Sequence, residues 1–327
     1  MLRCYKSHLA MLAEVAPDAI ETTPDLVWLD LLNPSPEETR RVEALLGIVI
    51  PTRAEMAEIE LSSRLYSEDG AEFMTMTALF GLDTDDPVKA EVTFILKQDV
   101  LVSVRFADPK PFTAYLIRAQ RPNAIPCATG TEVFLGLLES LTDRTADALE
   151  KLGNEIDQVS RHVFRRKSTS AEKFQRDLRS VIEQIGAKAE LLTMIQESLV
   201  SISRLTAYHG ASAVGPSKAA RDARQLGKLV QRDALSLGEH ARTLTTKVNF
   251  LLDATLGLIN LEQNQIIKIF SVVAVVLLPP TLVGSIYGMN FDIMPELHWD
   301  FGYPLSLGLM VLSAVLPYLF FKRRGWL

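Results

Sequence analysis

The sequence predicts an α+β domain with long helices that continue into a membrane domain of two transmembrane helices. Three observations support this fold class. The first 130 residues alternate short apolar segments with turn signals, helical periodicity with few breakers begins near residue 131, and two uncharged runs of about 20 residues lie near the C-terminus. A composition of 48% hydrophobic and 23% charged residues suits a globular protein with a small membrane part.

Composition and motifs also exclude some function classes. The net charge of −6 argues against a nucleic-acid partner. The sequence contains no phosphate-binding loop, nucleophile elbow or dinucleotide fingerprint, which disfavours an ATP-driven pump and an enzyme. Arg3 and Lys6 interrupt the segment Met1–Leu12, so we expect no secretory signal and a domain that stays in the cytoplasm.

Residues 1–130 are predicted to form the cytoplasmic α+β domain, with a largely antiparallel sheet. The apolar segment Leu26–Leu32 is typical of a strand, and Glu37 and Glu38 follow a Pro-containing turn and open a helix that runs through Leu46. Two hairpins follow, each marked by a short polar turn between apolar segments. The first joins 63–67 to 72–79 through Asp69-Gly70, and the second joins 91–96 to 100–106 through Gln98-Asp99.

Residues 131–215 are predicted to form a long helical hairpin. One helix spans 132–166 and ends at a polar turn, where Glu172 completes a cap for a second helix over 171–208. A Gly-containing break follows over 209–216.

A third helix, the stalk helix, covers residues 216–268 and is predicted to enter the membrane without a turn. It begins near Ser217 and meets no proline before Pro279. If it continues to Tyr287 it has about 70 residues and a length on the order of 105 Å. Such a helix would couple the cytoplasmic domain mechanically to the membrane, and its apolar stripe predicts packing in a bundle.

Two transmembrane helices are predicted at 269–291 and 301–321, joined by the short loop 292–300 and followed by the basic tail 322–327. The loop contains acidic residues and no Lys or Arg, whereas basic residues lie before the first span and after the second. By the positive-inside rule, the loop faces outward and both termini face the cytoplasm, as expected for a multi-pass protein of the inner membrane. The acidic residues, which would attract cations, are Asp292, Glu296 and Asp300.

Small and polar residues form one stripe on the first span. Every hydroxyl residue between 269 and 286 lies on this stripe, at alternating steps of three and four residues. Polar groups within a membrane usually face a bundle interior or water, although Ser and Thr also bond to their own helix or allow close packing. The pore stripe, as we call it, consists of Asn264, Ile267, Ser271, Ala274, Leu278, Thr281 and Ser285, and it ends at Gly288 and Asn290.

The pore stripe predicts a channel built from several copies of the chain, because two spans cannot enclose a pore. The second span would then face lipid, with Ser306 and Ser313 as packing positions against the first. No charged residue lies in either span, which suits a hydrated divalent ion, since Mg²⁺ gives up its water reluctantly. Leu278 and Ile267 are candidate apolar gates.

The C-terminal region contains three motifs in a fixed order. They are Gly288-Met289-Asn290 at the end of the first of two spans, Met294-Pro295-Glu296-Leu297 in the loop, and the basic terminus from Lys322 to Leu327. In these motifs the region resembles the CorA family of magnesium transporters. The resemblance implies a funnel-shaped homopentamer that admits Mg²⁺, and also Co²⁺ and Ni²⁺, down the membrane potential and closes when cytoplasmic Mg²⁺ binds between subunits. By position, Gly288, Met289 and Asn290 would form the selectivity filter.

The resemblance also implies regulatory metal sites. Asp253 matches an acidic position of the family near the inner pore, and the candidate sensor residues are Asp83, Asp85, Asp86 and Asp233.

Two alternatives remain open: a zinc transporter of the same superfamily, with or without proton coupling, and a sensor or enzyme that the two spans merely anchor. A filter for hydrated ions leaves no set of direct ligands from which to rank Mg²⁺ against Zn²⁺, Co²⁺ or Ni²⁺.

Overall fold

A computed structural model describes residues 1–9, 11–84, 86–122, 125–164, 171–212, 218–290, 294–295 and 299–326. Side chains are described within these ranges except at 171–177, 212 and 218–219. The chain divides into two compact units, the first formed by 1–168 and 180–251 and the second by 169–179 and 252–327.

A seven-stranded mixed sheet forms the centre of the first unit. Its strand order is β2-β1-β3-β7-β6-β5-β4, and all neighbouring strands are antiparallel except β3 and β7. The strands are β1 (Leu2–His8), β2 (Met11–Val15), β3 (Leu26–Leu32), β4 (Leu65–Glu68), β5 (Ala71–Phe80), β6 (Val88–Lys97) and β7 (Val100–Arg105).

Short helices and one long helix cover both faces of this sheet. Val42 and Met56 belong to the core on one face, and Phe112 and Phe134 pack against Phe94 on the other. The sheet therefore has no face left to water. The helices are α1 (Pro36–Leu46), α2 (Arg53–Met56), α3 (Leu61–Arg64), α4 (Lys110–Ala119) and the first part of α5 (Gly130–Phe164), with a 3₁₀ turn at Pro17–Thr22.

A buried ion pair joins the two parallel strands. Arg105 donates from Nε and Nη2 to the two oxygens of Asp30 at 2.9 and 2.7 Å, and both side chains are almost fully buried. Ser103 also donates to Asp30, and the indole of Trp28 donates to Ser103. The guanidinium lies 4.5 Å from the ring centre of Phe112, so every part of the pair has a partner.

Helices α5, α6 (Ala171–Ser212) and the early part of α7 (Lys218–Tyr287) extend the first unit as a bundle. Lys188 bonds to Glu155 and Lys247 to Asp157, which link α5 to each of the other two helices. Buried apolar residues at helical spacing on α7 fill the bundle interior; they are Val230, Ala234, Ala241, Leu244, Val248 and Leu251.

The second unit contains the two candidate membrane spans. Helix α7 continues without interruption to Tyr287, and α8 covers Gly302–Arg323. Both helices are long and apolar enough to cross a membrane, and only 6% of the most apolar window of each is buried within the chain. The lack of burial distinguishes them from the core helices of a soluble protein.

The structure confirms the predicted fold class and most of the element predictions. The strand Leu26–Leu32 and the 70-residue third helix agree with the structure at their predicted bounds. The predicted strand over 63–67 was wrong at its start, because α3 occupies Leu61–Arg64 and β4 begins at Leu65. The predicted break from His209 was also wrong, since α6 continues to Ser212. The end of the first long helix and the Glu172 cap lie outside the described part of the chain.

Candidate functional site

One face of α7 packs against α8 in the second unit. Val272 on α7 is 2% exposed and Ser306 on α8 is 8% exposed. A Cβ atom at Gly284 would lie 3.3 Å from Cε of Met310, so the helices approach closely there. The buried and half-buried positions of α7 recur at helical spacing along this packed face, at Val272, Val276, Pro279, Val283 and Tyr287.

The pore stripe lies on the side of α7 opposite to the packed face. At about 100° per residue, the stripe positions centre roughly 160° away from the packed positions. Every stripe residue is exposed in the chain, with Ile267 at 61% and Leu278 at 69%. Neither the polar nor the small residues of the stripe are therefore used for packing against α8. Those residues are Asn264, Ser271, Ala274, Thr281, Ser285 and Gly288.

The hydroxyl of Thr281 is oriented by its own helix. It donates to the carbonyl oxygen of Leu278 at 2.8 Å. Because its hydrogen is used in this bond, the oxygen presents its lone pairs away from the backbone as an acceptor. A hydrated cation offers water hydrogens to its surroundings, so this hydroxyl has the polarity that a cation path requires.

The end of α7 presents the predicted filter residues. Gly288 donates to the carbonyl of Gly284 at 2.9 Å and closes the last helical turn. A Cβ atom at Gly288 would lie 3.0 Å from that same carbonyl oxygen, which favours glycine at this position. Met289 and Asn290 follow and are exposed, as is Asp300 at the end of the loop. Asp292 and Glu296 lie outside the described residues.

Asp253 lies on the same helix and in the same phase as the stripe. It is exposed, and steps of seven residues connect it through Asn260 to Ile267. The stripe thus continues toward the N-terminal end of α7 with an amide and a carboxylate. The alignment of Asp253 with the stripe was not predicted from the sequence.

Asp83, a candidate sensor residue, already has two cationic partners. Lys110 and Arg144 both donate to its carboxylate. These hydrogen bonds lower the pKa of the Asp83 carboxyl. A metal ion at Asp83 would have to displace both side chains. Asp86 is exposed, and Asp85 lies outside the described residues.

The structure brings together an acidic group that the sequence reasoning missed. Glu139 and Asp143 are one turn apart on α5, and both are within electrostatic reach of Asp233 on α7. Desolvation by burial is the largest cause that raises the pKa of Glu139 and of Asp143. Neighbouring carboxylates raise both pKa values further, whereas the charge of Arg118 lowers them. Asp233 is distant in sequence from Glu139 and Asp143, so the sequence alone does not show that they are near each other. The only signal in the sequence is the helical spacing of Glu139, Asp143 and Asp147.

The described residues contain no group of three or more His, Cys, Asp or Glu side chains arranged to hold a metal ion. In that part of the chain, the candidate ion-related features are therefore the stripe, the predicted filter residues and separate acidic positions rather than a closed coordination cage.

Comparison with known proteins identifies the family of the chain. The family described as CorA-like Mg²⁺ transporter protein matches residues 24–323. The magnesium transport protein CorA of Yersinia pseudotuberculosis is 36% identical over 332 residues, and that of Haemophilus ducreyi is 37% identical over 335 residues. In both comparisons the alignment covers 100% of each protein.

The fold is also found among solved structures. The complete CorA magnesium transporter of Methanocaldococcus jannaschii superimposes with a TM-score of 0.79 at 19% identity, covering 100% of this chain and 99% of the other. The sheet domain, the long helices and the two C-terminal spans are thus parts of one known architecture. The match over residues 24–323, together with full-length relatives above 30% identity, means that the chain belongs to the CorA-like Mg²⁺ transporter family.

Proposed function

We propose that the chain is one subunit of a homo-oligomeric channel, a pentamer, that carries Mg²⁺ into the cell down the membrane potential. The single observation that carries the proposal is the position of the pore stripe. Its polar and small residues lie opposite the face of α7 that packs on α8, and they are exposed in the isolated chain. An anchor helix has no need to collect its hydroxyl and amide groups on one face.

Several subunits are needed because two spans do not enclose a path. Cyclic symmetry would place the α7 stripes around an axis, with α8 outside them and in contact with lipid. This arrangement uses both faces of α7: the packed face holds α8, and the stripe faces water. The exposed apolar side chains of α8 then have lipid as their solvent.

The filter would recognise the ion together with its bound water molecules. The exposed Asn290 amide is able to accept from water molecules bound to the ion, and Thr281 continues this path with its acceptor oxygen. Retaining the shell avoids the large cost of dehydrating Mg²⁺. The membrane potential contributes about 2.3 kcal/mol per charge per 100 mV, hence about 4.6 kcal/mol for a divalent ion. On the same reasoning Co²⁺ and Ni²⁺, which are also small hydrated divalent ions, would pass.

The outward loop and the basic residues define the orientation. Asp300 lies at the loop end of α8, whereas Lys322 and Arg323 lie at its other end. By the positive-inside rule, both termini are cytoplasmic and the loop faces outward. The acidic loop would concentrate cations at the mouth of the channel. With this orientation, cations that enter at the loop side leave at the cytoplasmic side, and the membrane potential drives them in that direction.

Closure by cytoplasmic Mg²⁺ is proposed to act through acidic residues of α7. Asp253 continues the stripe, and Asp233 lies within electrostatic reach of Glu139 and Asp143, whose carboxyl pKa values are raised. A divalent ion near such a group relieves repulsion between carboxylates. Since no complete cage exists among the described residues of one chain, the site would combine residues of neighbouring subunits. In the oligomer, the exposed side chains of Leu278 and Ile267 would each form an apolar ring around the channel axis. Conduction stops when water withdraws from such a ring.

The test is Mg²⁺ flux into liposomes that contain the purified protein, read with a Mg²⁺-sensitive dye inside the vesicle. Asn290→Ala is expected to abolish flux without loss of the oligomer on size-exclusion chromatography. Asn154→Ala is the matched control, because it removes the same amide from an exposed position on α5. Normal flux in Asn290→Ala, or equal loss in the control, contradicts the filter assignment.

The same vesicles distinguish a magnesium channel from a zinc transporter. Mg²⁺ and Zn²⁺ are supplied in turn, with and without a pH gradient. Mg²⁺ flux that follows the membrane potential and ignores the pH gradient is expected. Flux of Zn²⁺ alone, driven by the pH gradient, would replace the proposed function with the zinc alternative.

A further inference from the structure

The end of α8 folds back on itself in a defined turn. Gly325 has a φ of +69°. The amide of Trp326 donates to the carbonyl of Phe321 at 3.1 Å, and the rings of these two residues lie 5.3 Å apart. This bond and the apolar contact across it are the features of a Schellman turn, in which glycine supplies the left-handed residue. The tail is therefore held in place rather than free.

The turn assembles four cations at one end of the two membrane helices. Lys322, Arg323 and Arg324 end α8, and Lys268 lies on α7 with its Nζ 5.8 Å from the ring centre of Trp326. All four are exposed. None of them forms an ion pair with another residue in the described ranges, whereas many cations of the first unit do.

Aromatic rings accompany these cations. Arg324 lies 5.5 Å from the ring centre of Phe320. Phe320 is 55% exposed and Trp326 is 44% exposed. The surface thus presents cations beside exposed apolar rings, at the point where an apolar span ends. We call these residues the basic turn: Lys268, Phe320, Lys322, Arg323, Arg324 and Trp326.

We propose that the basic turn binds the headgroup phosphate of anionic phospholipids. A lipid matches both halves of the surface, because its phosphate pairs with the cations while its acyl chains contact Phe320 and the apolar end of α8. A free phosphate ion would use the cations only. Trp326 lies at the level of the headgroups, where indole rings are favoured. The proposal rests on the membrane insertion in the proposed function, but not on which ion is carried.

Helix-capping chemistry offers a simpler role for the same cations. Basic side chains in a last turn complement the carbonyls at a helix C-terminus. That role explains Lys322 and Arg323, but it does not explain why Lys268 of the other helix meets Trp326. Capping also predicts no preference between anionic and zwitterionic lipids, which makes the two roles separable.

The experiment is quenching of Trp326 fluorescence by brominated lipids in reconstituted full-length protein. Trp299→Phe provides the background, because Trp28 is buried in the sheet domain and does not meet lipid. Vesicles of phosphatidylcholine contain either brominated phosphatidylglycerol or brominated phosphatidylcholine at the same minor fraction. Quenching by the anionic lipid is expected to exceed quenching by the zwitterionic one about twofold or more, because each cation near the surface attracts anionic headgroups.

The variants separate charge from structure. Arg323→Gln with Arg324→Gln is expected to remove the excess quenching, and Arg323→Lys with Arg324→Lys to retain most of it. Lys151→Gln with Arg204→Gln is the matched control, since both are exposed cations of the first unit. Inorganic phosphate added in millimolar excess is expected to leave the excess quenching in place.

Three results would overturn the proposal: equal quenching by both lipids, an unchanged excess in the double Gln variant, or a complete loss in the double Lys variant. Displacement by inorganic phosphate would assign the site to a soluble anion instead. Because quenching does not require ion flux, failure here is distinguishable from failure of the proposed transport.

Discussion

The pore stripe makes a direct prediction for Thr281→Val. Valine has the shape of threonine without the hydroxyl, so the substitution removes one acceptor per subunit and little else. The hydroxyl now donates to Leu278, and its acceptor oxygen is exposed on the stripe. We expect Thr281→Val to assemble normally and to carry Mg²⁺ more slowly.

The magnitude follows from the hydrogen bond that is lost. A hydrogen bond to a charged group is worth about 1.5–3 kcal/mol net. The water shell spreads the ion's charge over several contacts. The lower value, about 1.5 kcal/mol, therefore applies to each hydrogen bond that a hydrated ion makes as it passes. About 1.4 kcal/mol corresponds to a tenfold change in rate. The flux of Thr281→Val is therefore expected to fall about tenfold, if one such contact is lost at the highest point of the barrier.

Ser313→Ala is the matched control for this prediction. The hydroxyl of Ser313 also donates to a carbonyl three residues earlier, that of Met310 at 2.9 Å. Both substitutions thus remove the same kind of bond within a membrane helix, but Ser313 is partly buried on α8. Flux is measured in liposomes at equal amounts of reconstituted protein. Equal losses in the two variants, or undiminished flux in Thr281→Val, would remove Thr281 from the ion path.

The remaining predictions concern stability and closure. Asp30→Ala is expected to lower the unfolding free energy by about 3–5 kcal/mol, because the buried Arg105 loses both of its bonds to Asp30 and keeps only Asp108 as an acidic partner. Asp30→Leu with Arg105→Met is expected to recover much of this loss in thermal unfolding followed by circular dichroism. Glu139→Gln is expected to stabilise the protein at neutral pH. A carboxyl group whose pKa is raised by folding contributes its full stability below its ordinary pKa, and this contribution is lost as pH rises through the folded-state pKa. The advantage of Glu139→Gln should then vanish in acid, and a constant advantage at all pH values would show another cause. Asp253→Asn is expected to raise several-fold the cytoplasmic Mg²⁺ concentration at which the channel is half closed. Asp83→Asn should change this concentration little, since Lys110 and Arg144 already neutralise the Asp83 carboxylate. The opposite ranking in flux measurements would assign the sensor to Asp83.

The sequence predicted best where a local signal and a tertiary requirement coincide. The segment Leu26–Leu32 is continuously apolar apart from Asp30. It forms a buried strand of the sheet, with β1 on one side and β7 on the other. Asp30 is tolerated there because Arg105, 75 residues away, satisfies it. The strand was visible in the pattern, but the partner was not, because no local rule links residues so far apart.

The errors arose where local propensity was ambiguous. The segment 61–68 is polar and short, and it changes from helix to strand between Arg64 and Leu65. His209 was assigned to a break because Gly210 and Pro216 follow it, yet its Nδ1 lies 2.8 Å from Oε2 of Glu72 and its ring packs edge-on against Phe134. These tertiary contacts extend α6 beyond the point where propensity alone would end it.

The candidate site could be predicted in composition but not in orientation. Spacing alone placed the hydroxyl residues of the first span on one stripe. Whether that stripe packs against the second span or faces away depends on contacts such as Gly284 with Met310. Small residues are equally suited to helix packing and to a pore lining, so the sequence did not separate the two.

The continuity of α7 would give the proposed closure by cytoplasmic Mg²⁺ a physical route. Asp253 lies on α7, 34 residues and therefore about 51 Å before Tyr287, where the helix ends and the predicted filter residues follow. Two consecutive prolines, Pro279 and Pro280, interrupt the backbone bonding between Asp253 and Tyr287. Each proline lacks an N–H and leaves the carbonyl four residues earlier without its helical donor, which weakens resistance to bending at that point. Leu278, the candidate gate, immediately precedes this pair. A displacement of the helix near Asp253 would thus be transmitted rigidly up to Leu278 and converted there into a local bend, which widens or narrows the apolar ring without moving the filter by the same amount.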